Sequence, residues 1–172
     1  FTVDVDGILH VAGIVSYGSS DQCADPRLPN VATRVTAYTD WISAVLAASP
    51  QSSIVGGSKT GIDDRPFQVA LLFSDTDDAF EAQFCGGTLI ADRWVLTAAH
   101  CTDGLTDTDY AVGVGKTKLS EMRYSDCYSV AATHQHPAYD PLEFEHDLAL
   151  IELETPIAGA SARWIPWLRD SS

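Results

Sequence analysis

The sequence predicts an all-β fold with one helix, and three observations support this fold class. Six short segments between residues 67 and 153 are rich in β-branched, aromatic and other apolar residues. Acidic, glycine-containing loops, such as residues 74–82 and 102–109, separate them. Only one stretch, close to residue 40, has the periodicity of an amphipathic helix. A chain of this pattern buries its core mainly between strands.

Residues 1–18 predict a β-hairpin. Val3 and Val5 alternate with polar neighbours, Asp6-Gly7 supplies the turn, and residues 8–15 form the return strand. Asp-Gly suits a two-residue hairpin turn because both of its positions need positive φ. After a loop over residues 18–29, a short strand is expected over residues 30–35.

A helix is predicted next, with Thr36 as its N-cap. Its apolar residues fall at i, i+3, i+4, i+7 and i+8, which places them on one face; they are Tyr38, Trp41, Ile42, Val45 and Leu46. Residues 49–53, a Ser-Pro-Gln-Ser-Ser run, indicate a short linker after the helix.

The remaining chain predicts six strands that close into a small barrel. Closure is favoured because it removes unpaired strand edges. The predicted strands are residues 67–73, 84–90, 93–97, 110–115, 128–134 and 148–153.

Composition excludes several classes of function. The 172 residues include 24 acids and 10 bases, a net charge of −14, which repels nucleic acid phosphates. No apolar run in the sequence has the length of a membrane span, so no membrane partner is expected.

Several short motifs combine residues suited to chemistry. Residues 96–101 (LTAAHC) carry a strand into His100 and Cys101, and residues 146–150 (HDLAL) open an apolar strand with Asp147. Residues 54–57 (IVGG) follow the linker, and residues 13–18 (GIVSYG) precede the predicted helix. Together these motifs resemble those of the trypsin/chymotrypsin-like serine proteases, and the resemblance covers nearly the whole chain.

The resemblance implies a role for each site residue. His100 matches the general base that takes a proton from a serine hydroxyl, and Asp147 matches the carboxylate that orients the imidazole. Ser16 matches a serine that supports this carboxylate, and with Tyr17 and Gly18 it matches the edge segment that pairs with substrate backbone. Asn30 occupies a substrate-pocket position. The other four histidines are expected to be ordinary surface or core residues.

The four cysteines divide unevenly under the same resemblance. Cys85 and Cys101 are implied to form a disulfide rather than a metal site, since metal ligation would want more Cys or His at short spacing. Cys23 matches a cysteine whose partner lies in a part of the family pattern absent here, and Cys127 has no assigned partner. A Cys23–Cys127 bridge is an open alternative. No cofactor or metal is implied.

The motifs stand in an unusual order. Residues 1–48 resemble the C-terminal segment of the family, whereas residues 54–172 resemble its N-terminal barrel, with residues 49–53 as a linker. We therefore expect a trypsin-like barrel, part of a second barrel and the C-terminal-type helix. The Gly-Asp-Ser-Gly-Gly nucleophile motif is absent. Two interpretations stay open: the junction of two tandem protease domains, or a circularly permuted single domain.

The implied function is endopeptide hydrolysis through an acyl-enzyme, in a chain that lacks its nucleophilic serine. Protein or peptide substrates and protein inhibitors are the expected partners, and the disulfide and the family both indicate secretion. Ser53 precedes Ile54 with no Lys or Arg between Arg34 and Lys59, so activation by a trypsin-like cut is not expected. The competing function is a non-catalytic, protease-like module that binds proteins.

Overall fold

The computed structural model describes residues 2–18, 30–47, 65–157 and 162–167, and within them the fold is mainly β, as predicted. It contains a closed six-stranded barrel, two two-stranded sheets and two α-helices. The elements are β1 Thr2–Val5, β2 Ile8–Val11, β3 Gly13–Gly18, β4 Asn30–Arg34, α1 Thr39–Ala47, β5 Gln68–Phe73, α2 Ala79–Ala82, β6 Gln83–Ala91, β7 Trp94–Thr97, β8 Tyr110–Gly113, β9 Cys127–Gln135 and β10 Ala149–Leu153.

The barrel contains all six predicted strands, in the order β10-β7-β6-β5-β8-β9. Every neighbouring pair is antiparallel, and β9 closes on β10. Apolar side chains fill the interior; Leu71, Val95, Leu96, Val112, Leu150 and Leu153 are all fully buried. Gly87 permits close contact here, because a Cβ at this position would lie 2.6 Å from Cγ1 of Val95. The predicted closed barrel is confirmed.

The N-terminal hairpin has the predicted turn but a divided return strand. Asp6 and Gly7 have φ values of 54° and 81°, as the Asp-Gly turn requires. The prediction of one strand over residues 8–15 is wrong, because the chain leaves β1 at Val11. The Val11 amide donates instead to the Pro166 carbonyl at 3.0 Å. The next residue, Ala12, accepts from the Val35 amide, which redirects the chain into β3.

The predicted helix is present, but it begins differently. A 3-10 turn over Val35–Tyr38 leads directly into α1, and the residue before this turn is Arg34, which makes no side-chain cap. Thr36 therefore lies inside the turn, and its prediction as N-cap is wrong. The apolar face is confirmed, since Ile42 and Leu46 are buried.

The loop predicted over residues 74–82 contains the short helix α2. Its N-cap is Asp78, whose carboxylate accepts the Phe80 and Glu81 amides at 2.8 and 3.3 Å. An acidic run thus ends in a capping residue, a role that charge alone does not reveal.

Residues 2–18 and 30–47, which we call the N-terminal segment, pack against the barrel. Val11, Val35 and Ile42 belong to the same buried cluster as the barrel interior. Residues 162–167 join the two parts, because Ile165 donates to Leu89 of β6 and the next residue accepts from β2. We call the whole contact surface between the N-terminal segment and the barrel part of the chain, residues 65–157 and 162–167, the seam. Within the described residues, no helix combines the length and the apolar character needed to cross a membrane.

Candidate active site

His100 is positioned by the end of β7. The small residues Ala98 and Ala99 are buried and allow a tight 3-10 turn over Ala99–Cys101. A Cys85–Cys101 disulfide, with a Cα–Cα distance of 6.1 Å, attaches this turn to β6. The His100 side chain remains 31% exposed. The backbone around the imidazole is therefore fixed while part of its ring stays accessible.

Asp147 is placed beside His100 by strand register. β10 pairs with β7 so that Ala149 faces Thr97. Residues just before Ala149 therefore lie next to residues just after Thr97. Asp147 is fully buried, and its Oδ1 accepts the His100 backbone amide at 2.9 Å. The Nδ1 atom of His100 lies 2.9 Å from Oδ2. Because a carboxylate only accepts, Nδ1 carries the proton and Nε2 of the neutral ring keeps its lone pair.

Ser16 reaches Asp147 through a β-bulge. In the β3–β4 pair, Val15 faces Ala32 and Tyr17 faces Val31, which leaves Ser16 as the extra residue. The bulge turns its side chain inward, where it is buried and donates its hydroxyl to Oδ2 of Asp147. A residue of the N-terminal segment thus contacts the carboxylate held by the barrel.

The charge of Asp147 is stabilised by these donors. Burial alone would raise its pKa, but hydrogen bonds from His100 and Ser16 outweigh burial and hold the pKa below its ordinary value. A further donor is Thr33 on β4, whose hydroxyl donates to the Asp147 carbonyl at 2.9 Å. Thr33 is not among the site residues that the motifs predict. Its only sequence signal is its place in the strand predicted over residues 30–35, just before the predicted helix.

The other predicted substrate-binding residues lie on the β3–β4 sheet. Tyr17 and Gly18 end β3, and Gly18 pairs with Asn30 at the start of β4. Among the described residues, β3 pairs with no strand other than β4, so no described strand pairs with its second edge. The structure therefore brings the Ser16 side chain to Asp147, beside His100. Tyr17, Gly18 and Asn30 lie on the neighbouring backbone of β3 and β4.

The two predicted cysteine pairings have different outcomes: the Cys85–Cys101 disulfide is present, whereas the Cys23–Cys127 bridge is not supported. Cys127 is a free, half-buried thiol, which contradicts a Cys127–Cys23 bridge; Cys23 itself lies outside the described residues. Burial, and secondly the charge of Asp126, raise the pKa of the Cys127 thiol. Residues 54–57 and 49–53 also lie outside the described part of the chain.

One cluster has the spacing of metal ligands. Potential ligand atoms of Cys85, His100 and Cys101 lie within 4.8 Å of one another. The two sulfurs are bonded to each other, so neither is a thiolate, which is the form that binds metals. These residues therefore do not fit a metal site.

Two histidines have more contacts than the sequence analysis expected. His136 and His146 pack against Tyr38 and Trp41 at the seam. The available signals were a Tyr and a Trp at i and i+3 on one helix face, and a His immediately before Asp147. The ring of Phe144 also contacts His100 edge-on, with centroids 5.8 Å apart.

The chain is similar to known proteins over most of its length. The model of the family described as Trypsin matches residues 3–42 and 54–172. A trypsin of Simulium vittatum is 37% identical over 133 residues, covering 73% of this chain and 52% of the relative. Serine proteinase stubble of Drosophila melanogaster is 34% identical over 113 residues, covering 64% of this chain and 14% of the relative.

A solved structure shares the fold. The VesB protease of Vibrio cholerae aligns with a TM-score of 0.52 and 31% identity, covering 62% of this chain and 32% of that chain. This chain spans about half the length of the Simulium trypsin and much less of the stubble proteinase.

Proposed function

Because this chain belongs to the trypsin family of serine proteases, we propose that it supplies the general base for hydrolysis of peptide bonds. His100 takes the proton of a serine hydroxyl at Nε2 and returns it to the leaving amine. Asp147 keeps the imidazole in the Nδ1–H tautomer and stabilises the imidazolium that forms. The observation that carries this proposal is the buried carboxylate of Asp147, whose Oδ2 lies 2.9 Å from Nδ1 of an imidazole that stays 31% exposed.

The hydrogen bonds around Asp147 support this assignment. An unpaired buried carboxylate takes up a proton and then no longer stabilises a cation beside it. Asp147 instead accepts from Ser16 and from both the backbone and the ring of His100. These donors are already in place before any substrate binds, which is the arrangement that electrostatic stabilisation of a transition state needs.

The nucleophilic serine belongs, in this proposal, to sequence outside these 172 residues. No Asp-Ser-Gly occurs in the chain. The proposed organisation keeps residues 1–48 as a C-terminal-type segment, residues 49–53 as a linker and residues 54–172 as the N-terminal-type barrel. The two stretches that match the family, residues 3–42 and 54–172, support this division.

The proposed substrate contacts lie at the edge of β3 that pairs with no described strand. In this proposal the backbone of Tyr17 and Gly18 pairs with an extended peptide as an added strand, and Asn30, which stands opposite Gly18 in the register, keeps the substrate-binding role that the family resemblance implies. Protein or peptide substrates and protein inhibitors are the proposed partners. The Cys85–Cys101 disulfide supports secretion, because disulfides persist in oxidising compartments.

The second candidate function is a non-catalytic module that binds proteins. The absent Asp-Ser-Gly favours it, and so does the exposed apolar surface of the β3–β4 sheet. Val15 and Val31 on this sheet are 58% and 39% exposed. The two candidates differ in whether a reactive serine works with His100.

A fluorophosphonate probe, which labels activated serines, tests the proposal. We expect no labelling of the 172-residue chain and clear labelling of the longer polypeptide that carries it. In that polypeptide, His100→Ala should slow labelling by about 10⁴-fold, whereas His10→Ala, a control at a histidine on β2, should not.

The other outcomes are equally informative. If the 172-residue chain is labelled and His100→Ala abolishes the labelling, the proposal that the nucleophilic serine lies outside this chain is wrong. An unlabelled longer polypeptide that still binds proteins would favour the non-catalytic module.

A further inference from the structure

Two histidines of the barrel side meet at the seam. His136 directly follows β9, and His146 directly precedes Asp147. Their rings stack with centroids 5.1 Å apart and planes inclined by 15°. Neither residue has a part in the proposed proton transfer.

The helix side of the seam contributes two more rings. Tyr38 and Trp41 each contact the ring of His136 edge-on, both with centroids 5.1 Å apart. The Tyr38 hydroxyl also lies 3.1 Å from Nδ1 of His146. Two rings from α1 and its leading turn therefore pack on two rings from the barrel side.

This packing requires His136 to be neutral. Its Nδ1 accepts the Ala138 amide at 3.2 Å, which a protonated imidazole is unable to do. Burial, and secondly the neighbouring His146, lower the pKa of His136. Of the described residues, the titratable groups in ring contact with it are His146 on the barrel side and Tyr38 on the helix side. Burial, followed by the carboxylate of Glu145, raises the pKa of Tyr38, so the phenol also stays neutral.

We propose that Tyr38, Trp41, His136 and His146 form a pH-sensitive latch that holds the N-terminal segment on the barrel. At neutral pH the four rings pack as described. In acid, a proton on His136 removes its acceptor for the Ala138 amide and places a charge against the stacked ring of His146, whose centroid is 5.1 Å away.

The direction of the effect follows from linkage. A histidine whose pKa is lower in the docked state binds fewer protons there than when released. Docking is therefore fully stable above the ordinary pKa of histidine and weakens as pH falls from that value through the lowered one. Because Ser16 and Thr33 lie on the docked segment, release also withdraws two donors from Asp147. The latch depends only on these contacts and stands whether or not the chain hydrolyses peptides.

Hydrogen exchange of the full chain between pH 8 and pH 5, corrected for the intrinsic rate, tests the latch. We expect the protection of α1 amides to fall at least about threefold relative to β10 amides on acidification. Replacing both histidines, His136→Gln with His146→Gln, should abolish this pH dependence. His10→Gln, on β2 of the N-terminal segment and outside the four-ring cluster, should leave the pH dependence intact.

Other results would overturn the proposal. Parallel loss of protection in α1 and β10 would show no selective release, and an unchanged pH dependence in the double variant would show that other groups are responsible. If the double variant does not fold, NMR titration of His136 in the wild-type chain decides. A midpoint below the ordinary histidine range, with Trp41 shifts at the same pH, supports the latch; a midpoint above that range contradicts it.

Discussion

The barrel and the N-terminal segment differ in how the edges of their strands are paired. Every barrel strand pairs on both edges, whereas each described strand of the N-terminal segment belongs to a two-stranded sheet. Each of those four strands exposes one large apolar residue, and these residues are Val5, Ile8, Val15 and Val31. Of the barrel strands only β5 does so, at Phe73. The barrel is therefore self-contained, while the N-terminal segment depends on the seam. Asp147 lies where the two parts meet.

The largest effect is expected from substitutions that create a cavity, made once in the barrel and once in the N-terminal segment. Leu150→Ala in the barrel should lower the free energy of unfolding by about 2–5 kcal/mol, since this side chain is fully buried. Ile42→Ala in α1 should mainly increase local exchange of the N-terminal segment and leave barrel protection near wild type. Denaturant titration and hydrogen exchange measure both effects. Equal loss of protection throughout the chain in the two variants would mean that the regions unfold as one unit.

The disulfide tests the barrel alone. Cys85→Ala with Cys101→Ala opens a bridge of sequence separation 16 and should cost about 3 kcal/mol, because the unfolded chain regains loop entropy. Cys127→Ala removes a half-buried free thiol and should cost less than about 1 kcal/mol. Thermal unfolding under matched conditions compares them. Similar losses in the two variants would count against a structural role for the bridge.

Ser16→Ala tests the seam at the carboxylate. Loss of a hydrogen bond to a buried charge should cost about 1–3 kcal/mol, whereas Ser43→Ala, at an exposed serine of α1, should cost less than about 0.5 kcal/mol. Because the pKa of Asp147 is lower in the folded chain than in the unfolded chain, ionisation of this carboxyl stabilises the fold. The contribution is full above the ordinary carboxyl pKa and is lost as pH falls through the lowered pKa.

The pH dependence provides a second measurement on the same variant. Without Ser16 the pKa of Asp147 rises, so the loss in acid should begin at higher pH than in the wild-type chain. Unfolding titrations at a series of pH values below neutrality measure this change. An acid profile identical to wild type would show that Ser16 does not stabilise the charge.

Thr33→Val should have the smallest effect. It removes the donor to the Asp147 carbonyl while keeping a β-branched side chain, and we expect a loss of about 1 kcal/mol. Thr36→Val, inside the 3-10 turn, is the matched control. If the control destabilises the chain as much as Thr33→Val, the hydrogen bond at the seam is not the cause.

The two regions also differ in how well the sequence predicts them. The barrel strands follow from local pattern, because each is a short apolar run between polar loops. The break at Ala12 does not, since it depends on the distant carbonyl of Pro166 and on Val35. The bulge at Ser16 likewise depends on Asp147, which lies 131 residues away in sequence. Tertiary partners decide these features, and a local pattern does not contain them.

The candidate active site shows the same division between local pattern and tertiary packing. His100 and Asp147 lie in recognisable motifs, and their proximity follows from β10 pairing with β7. The contacts of Tyr38 with His136 and His146 join residues about 100 positions apart. Each of these residues has an ordinary role when considered alone. Only the packing of α1 on the barrel brings them together.

The tautomer of His100 is the most direct test of its proposed role, because a general base needs a free lone pair at Nε2. Nitrogen-15 NMR of the wild-type chain, at a pH where the imidazole is neutral, should show the proton on Nδ1, facing Asp147. In Asp147→Asn the proton should move to Nε2, because the amide donates to Nδ1. A wild-type chain with the proton on Nε2 would contradict the pairing of His100 with Asp147 and with it the proposed role as general base.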